Sequence, residues 1–401
     1  MKLLENIRII DFMQGYTGSY ATMLLADYGA EVIKIEPLEN GDISRTYFPQ
    51  KEEGSAYNAY INRGKKSICI NMGSQQGQDI IMKLIKTADV VCENYPIGFL
   101  EKYNLNYEKV KEIKPDIIYA SLTGFGKSGD MSKTAGCDLT SQALSGLMGI
   151  TGFPDSKPTA HGTRIADQYG SVYLAYGIML ALLSRDLEGQ GQKVDISSTD
   201  CIFTALESGE IKAALSGEDF KREGNNSYSI APYDTFQTSD GYFSTGVSTD
   251  TQWENFCNAM GLEYLLNDEK FSTNELRGKH YTSELRGILR RRFSELTKFE
   301  CDELLSPLNI PAGPLLTVSE ALKNEQLLAR DMIVEIEDSD TGKTKMPANP
   351  IKMSLNAQKY VRAPRLGEHT YEYLKEIGID SEIIEKLANE QILITDKEAR
   401  K

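Results

Sequence analysis

The chain has 401 residues, 40% of them hydrophobic and 25% charged, with a formal net charge of −14. That length supports a large core in two domains. The acidic balance leaves no broad basic surface for nucleic acid, although a local basic cluster could still hold a small anion.

The first third alternates strands and helices. Ile7–Phe12 (IRIIDF) reads as a buried strand, QGYTGS as a glycine-containing turn, and the stretch through Ala26 as an amphipathic helix. Glu31–Glu36 (EVIKIE), Ser67–Ile70, Val90–Cys92 and Ile117–Ser121 (IIYAS) read as further strands, with a helix over Gly77–Thr87. Alternation at this spacing predicts an α/β fold with a parallel sheet covered by helices on both faces. Helices then dominate Leu139–Gly149 and Gln168–Leu183, followed by a strand at Lys193–Ser197 and a helix from Thr199.

The polar, Gly/Asn-rich stretch 216–229 (SGEDFKREGNNSYS) reads as a linker, and 230–329 as a smaller domain. From Met332 strands return (IVEIED, TKMPANP), and a charged helical tail ends in residues expected to fray. The large domain is therefore predicted over 1–215 and 330–401. The opening MKLLENIRIIDF is broken by Asp11 and does not read as a signal peptide. The longest apolar run, Val172–Leu183, is too short to span a bilayer. The cysteines, Cys69, Cys92, Cys137, Cys201, Cys257 and Cys301, show no CxxC pair or zinc spacing. They read as free thiols of a cytoplasmic protein. The only histidines are His161, His280 and His369, a poor supply for metal sites or Ser-His-Asp triads.

Several motifs have both a structural and a chemical reading. Gly15, Gly18 and Glu36 stand roughly where a dinucleotide fold places its turn and its ribose-binding acid, but the turn lacks a full G-x-G-x-x-G. A full match, Gly124 to Gly129, follows the strand IIYAS with no helix after it and reads as a mobile loop. In NRGKKS, Arg63, Lys65 and Lys66 could meet a phosphorylated ligand or form a solvated turn. Three acids, Asp138, Asp167 and Asp200, precede or open helices. Each could be a cap. Each could also be a carboxylate nucleophile at an acyl pocket.

Many ordered stretches decide between these readings: IRIIDFMQGYTG, LLADYGAEVIKIEP, NRGKKSI, ADVVCENYPIGFLEK, SLTGFGKSG, GCDLTSQALSGLMGITG, IADQYGS, GQGQKVDIS, IPAGPLLTVSEAL and APRLGEHT. In register from Leu4 to about Leu387, the chain resembles the class III coenzyme A transferases, the family of formyl-CoA and carnitine CoA-transferases. The resemblance implies a Rossmann-like large domain with a smaller α+β domain, in a ring-shaped chain that forms an interlocked homodimer. It implies an acyl-CoA:carboxylate CoA-transferase with Asp167 as covalent nucleophile and Asp138 as auxiliary acid. Backbone N–H groups where the Asp167 helix begins are expected near the developing oxyanion. By position, Tyr16, Thr17, Ile70, Asn71, Met72, Gly73, Asn94, Tyr95 and Lys102 match the family's CoA contacts. No permanently bound cofactor, metal, nucleic acid or membrane is expected; the CoA thioester is a substrate.

The chain also departs from parts of the family. Lys102 stands where some members have Arg. Tyr16 replaces a Gln of oxalate-using members and Pro37 an Arg, which argues against a formyl/oxalate pair. STGVSTDTQW occupies the region of a glycine-rich shielding loop. Tyr228 and Tyr233 are candidate linings of the acyl pocket, with Phe236 nearby. The family's α-methylacyl-CoA racemases need a His beside the second acid and a Glu in the small domain; here Cys137 and Thr249 stand at those places. Two functions of different classes also compete: a dinucleotide-dependent oxidoreductase and a non-catalytic CoA-binding protein.

Overall fold

The structure is a computed structural model that describes residues 3–51, 54–227, 229–338 and 340–396. The chain divides into two compact units: Met1–Met148, Ala160–Glu218 and Ala329–Lys401 form one, and Gly149–Thr159 with Asp219–Leu328 the other. Residues 149–159 and 219–229 thus both fall in the second unit.

The first unit is built on a sheet of β1 (Arg8–Asp11), β2 (Glu31–Glu36), β5 (Lys66–Ile70), β6 (Val90–Glu93), β7 (Ile118–Thr123), β8 (Lys193–Ser197) and β14 (Leu393–Ile394). The strand order is β14-β5-β2-β1-β6-β7-β8. Only β14 is antiparallel, pairing with β5. A short hairpin, β3 (Gln50–Lys51) with β4 (Gly54–Ser55), lies outside it. The central strands are near-continuous apolar runs, with Ile9, Ile10, Val32, Ile33, Ile68, Val90 and Val91 fully buried, as a sheet covered on both faces requires. The unit's helices include α1 (Ser19–Asp27), α2 (Ala56–Ile61), α3 (Gln75–Lys86), α4 (Tyr107–Ile113), α5 (Asp138–Leu144), α7 (Ile165–Glu188), α8 (Ser198–Phe203), α9 (Gly209–Ser216) and two C-terminal helices, Thr370–Glu376 and Ser381–Asn389, while α6 (Leu147–Ile150) crosses the boundary between the units. Among the described residues, no helix is long and apolar enough to cross a membrane.

The small residues of α7 have a structural use. A Cβ on Gly170 would lie 2.9 Å from Leu122 Cδ1, and one on Gly177 would lie 2.8 Å from Val194 Cγ1. These glycines let α7 lie directly on the side chains of β7 and β8. The helix ends at Gly189, whose φ of 72° is the left-handed conformation that stops a helix cheaply.

Beneath the turn between β1 and α1 lies a set of fully buried charges. Lys65 Nζ stands 2.9 Å from Asp11, and Lys34 Nζ stands 2.5 Å from Asp42. Glu36 accepts two bonds from Arg45 at 2.7 Å and one from Ser67 at 2.6 Å. Arg63 grips Asp27 with two bonds, at 3.0 and 2.8 Å. Burial alone would push the Asp11 carboxyl up; Lys34 and Lys65 overcome it and hold Asp11 below the usual carboxylate range.

These pairs correct two sequence readings. Glu36 is enclosed and committed to Arg45 and Ser67, so it offers no free carboxylate to a ribose. NRGKKS is neither a solvated turn nor an open phosphate cluster, because Arg63 and Lys65 are buried ion-pair partners. The strands read after Met332 exist as β12 (Ile333–Asp338) and β13 (Gly342–Pro347), but they pair with each other and not with the large sheet. Of the charged tail, residues 397–401 lie outside the described residues.

The second unit has its own antiparallel sheet, ordered β11 (Ala312–Pro314), β10 (Tyr242–Gly246), β9 (Tyr233–Gln237). Its core is aromatic: Phe236 stacks on Phe293 at 4.4 Å, with Phe243, Phe256 and Trp253 around them. STGVSTDTQW forms the end of β10 and the start of α10 (Asp250–Ala259), where Thr249 and Gln252 close a capping box.

Arg63→Leu should leave buried Asp27 without its cation, with only a 3.4 Å bond from Asn349, and lower unfolding free energy by about 3–5 kcal/mol. Urea unfolding checks this; an unchanged midpoint would mean that Asp27 is not charged in the folded state.

Candidate active site

The sheet changes direction at β1: β2 and β5 lie on one side, β6 to β8 on the other. In open parallel sheets a crevice forms outside the carboxyl ends of the strands at such a switch. A cavity of about 630 Å³ is lined by residues of that region, among them Thr17, Asn94, Asp138, Arg164 and Asp167. Its volume is within the usual range for small-molecule sites.

The β1–α1 turn forms part of the wall, and backbone constraints set its shape. Gly18 has a φ of 80°, and a Cβ there would fall 2.4 Å from Met13 Sδ. Asn94, just beyond β6, accepts from Gln14 N–H and donates to the carbonyls of Gln14 and Thr17, each at 2.9 Å. Both its amide donors are therefore used to hold the turn. Asp42 accepts from Gly15 N–H at 3.0 Å. Gly18 N–H donates to Ser171 Oγ at 2.9 Å, and Ser171 donates to the Asp167 carbonyl at 2.7 Å, which ties the turn to α7.

Asp167 lies in the first turn of α7 and is 6% exposed. The helix start is not capped by its own neighbour. Asp138, which opens α5, reaches across so that Oδ1 accepts from Ala166 N–H at 2.8 Å and Asp167 N–H at 3.3 Å. Gln142 holds the other Asp138 oxygen at 2.7 Å and itself accepts from His161 N–H at 2.8 Å. Asp138 is thus the cap of α7, supplied from a distant segment. This corrects the expectation that those two helix-start amides are open to an oxyanion.

Burial pushes the Asp167 carboxyl up from 3.8 to about 6. A Thr17 hydrogen bond and the Arg164 charge pull it down, while the Asp138 charge pushes it further up. The result is a buried carboxylate, ionised at neutral pH but more basic than an exposed one.

Around it stands a cluster of rings of which the sequence reading named only Tyr16. Tyr16 stacks on Tyr20 at 5.6 Å and meets Tyr57 at 6.1 Å; Tyr57 meets Tyr47 edge-on at 5.5 Å. Burial pushes Tyr57 up to about 12, and the Asp167 charge adds to the same shift, so the phenol stays protonated. The only local signal was the density of tyrosine between residues 47 and 60, which fits ordinary core packing equally well.

Thr17, Asn94, Asp138 and Asp167 are brought to one cavity, with Tyr16 close enough to feel the Asp167 charge. The other expected CoA positions do not line it. The Ile70 side chain is sealed in the sheet core. Asn71 accepts from Gly73 N–H at 2.9 Å, before the start of α3, and Met72 packs against the core. Tyr95 stacks on Phe99 at 4.2 Å, and Lys102 is exposed in a short 3-10 turn. Asp200 lies exposed in the first turn of α8. The Gly124–Gly129 loop is anchored where it begins, since the Gly124 carbonyl accepts from Thr199 N–H and Oγ1, and it forms cavity wall. Tyr233 lines a cavity of the second unit; Tyr228 lies outside the described residues. No group of His, Cys, Asp and Glu that could hold a metal occurs among the described residues.

Residues 4–370 match the family described as CoA-transferase family III. The chain is 35% identical to succinate–glutarate CoA-transferase of Agrobacterium fabrum, over 96% of this chain and 97% of that one. It is 36% identical to succinyl-CoA:glutarate CoA-transferase of Mus musculus, over 96% and 89%. The crystal structure of a CAIB/BAIF family protein from Brucella suis is 33% identical, with a TM-score of 0.86 over 94% of this chain and 99% of that one.

Substitutions at two residues test the electrostatics without any substrate. Asp167's folded value lies above its unfolded one, so its ionisation weakens the fold above pH 6 and has no effect below about pH 4. Asp167→Asn should therefore gain roughly 2–3 kcal/mol at pH 8 and nothing at pH 4. Equal effects at both pH values would refute the assignment. Asp138→Ala should cost about 1–2 kcal/mol by uncapping α7, whereas Asp138→Asn, which keeps an acceptor oxygen, should cost less. Thermal melts of the three variants decide both points.

Proposed function

The chain belongs to CoA-transferase family III, and from that premise we propose that it moves coenzyme A from an acyl-CoA donor to a carboxylic acid through a covalent intermediate on Asp167. The observation that carries this reading is the buried, basic carboxylate of Asp167 in a cavity at the sheet's switch point.

An Asp167 carboxylate oxygen attacks the thioester carbonyl and the C–S bond breaks, which leaves a mixed anhydride and CoA thiolate. The thiolate attacks the aspartyl carbonyl of the anhydride, releasing the donor acid and forming an aspartyl-CoA thioester. The acceptor carboxylate displaces the thiolate to form a second anhydride. The thiolate then attacks the acceptor's acyl carbonyl, and the new acyl-CoA leaves with Asp167 restored as carboxylate. Covalent steps avoid a single difficult exchange between two weak nucleophiles. Asp138 is a positioning residue here: it fixes the backbone that carries Asp167 and raises the nucleophile's basicity.

The β1–α1 turn is the proposed CoA-side wall, with Thr17 beside the reacting carbonyl. Both of these relatives are named for succinate and glutarate, which makes short dicarboxylic acids the proposed substrates. The interlocked homodimer implied by the resemblance has one support in this chain. Tyr169, Val172, Tyr173, Tyr176, Leu180 and Leu183 form an exposed apolar stripe on α7 at helical spacing, suited to cover by a second copy. The six unpaired cysteines support a reducing cytoplasm.

The nucleophile is active only when deprotonated, so kcat/KM should fall about tenfold per pH unit below pH 6 and level off above it. Asp138→Asn should move that limb to lower pH by removing a neighbouring negative charge. Intact-protein mass spectrometry with succinyl-CoA should show an adduct that hydroxylamine removes and Asp167→Ala lacks. Exchange of the α-hydrogen without an adduct would replace the transferase reading with a racemase.

A further inference from the structure

Arg164 immediately precedes α7, three residues before Asp167, and lines the same cavity. Its guanidinium lies 5.6 Å over the Tyr47 ring. Tyr47 in turn packs on Tyr57, and both Arg164 and Tyr57 feel the Asp167 charge. This contrasts with Arg45 and Arg63, each of which has a carboxylate partner. Among the described residues no ion pair within 4.0 Å includes Arg164. The cavity therefore presents a cation set on a phenol ring, solvent-exposed, beside the nucleophile and separated from it by one helical turn.

We propose that Arg164 is the specificity-determining residue for a dicarboxylic acyl group, holding the carboxylate remote from the carbonyl that Asp167 attacks. The inference rests on the transferase reading and goes beyond it by naming the residue that reads the substrate's second charge. A planar guanidinium suits this role, because its paired N–H groups match both oxygens of a carboxylate. The Tyr47 ring fixes the plane of the fork before substrate arrives, which reduces the entropy lost on binding. Arg164 and Asp167 stand three residues apart and line the same cavity, so a single acyl group can meet both.

The test compares succinyl-CoA and glutaryl-CoA with butyryl-CoA and valeryl-CoA, which match them in chain length but lack the second charge. The assay is run at pH 8, where Asp167 is ionised in every variant. Wild type should prefer the dicarboxylic acyl groups. In Arg164→Gln that preference, as a ratio of kcat/KM values, should fall about tenfold to thirtyfold, the worth of a solvent-exposed charge-assisted contact. Arg164→Lys should recover part of it. A ratio unchanged in Arg164→Gln overturns the proposal, and an equal loss for both acyl classes shows that Arg164 instead serves the CoA phosphates or the reacting carboxylate. The Asp167 adduct, read by mass spectrometry in the same samples, separates the two levels. An adduct with an unchanged ratio sinks the role of Arg164 alone. Absence of both adduct and transfer with all four thioesters sinks the transferase reading and the role of Arg164 with it.

Discussion

The site depends on charge pairs that water does not reach. Asp11, Lys34, Glu36, Asp42 and Lys65 are all buried at the carboxyl ends of β1, β2 and the segments beside them. Bringing such groups into a protein interior costs several kcal/mol each before any pairing is counted. They are tolerated because each has specific partners, and those partners include the backbone of the turn itself: Met13 and Gly15 N–H donate to Asp11 and Asp42. A hydrophobic replacement could fill the same volume, but it could not specify where Gly15 and Thr17 sit. The ionic lattice thus sets position at a cost in stability.

The second organising feature is the way carboxylates are divided between tasks. Asp138 accepts backbone N–H bonds and is half-buried, while Asp167 has little water and few donors. Two acids in one cavity therefore sit in opposite environments. One is held by backbone donors; burial raises the basicity of the other. The cap and the buried Asp167 are coupled directly, since the amide of Asp167 is itself one of the donors that Asp138 accepts from.

Much of the fold was legible because it rests on local pattern. EVIKIE, VVCE and IYASLT are apolar runs in β-branched residues, and they form parallel strands where the pattern puts them. What local pattern could not carry was partnership across the chain. Arg63 and Glu36 were misread because their partners, Asp27 and Arg45, are identified by space and not by sequence. The predicted helix over Gln168–Leu183 is longer, Ile165–Glu188, because its first turn is secured by Asp138 from a distant segment. The strands after Met332 were visible, but their pairing was not. In the site, Asp138 and Asp167 were two of three acids picked out by position, with roles given by resemblance to a family, and the geometry brings them together. Tyr47, Tyr57 and Arg164 were not singled out, since tyrosines near a turn and an arginine before a helix are common on ordinary surfaces.

The two glycines of α7 that rest on Leu122 and Val194 make those side chains mechanical stops for the helix. The depth at which the Asp167 carboxylate sits is thus set from beneath, by the side chains of the sheet. Of the two stops Leu122 lines the cavity and Val194 does not, so through Val194 that depth can change with the cavity wall left as it is. An engineer wishing to shift the Asp167 carboxylate by a few tenths of an ångström could adjust the bulk of Val194 beneath the helix, leaving the cavity-lining groups as they are. The sheet would then work as a levelling screw for the chemistry above it.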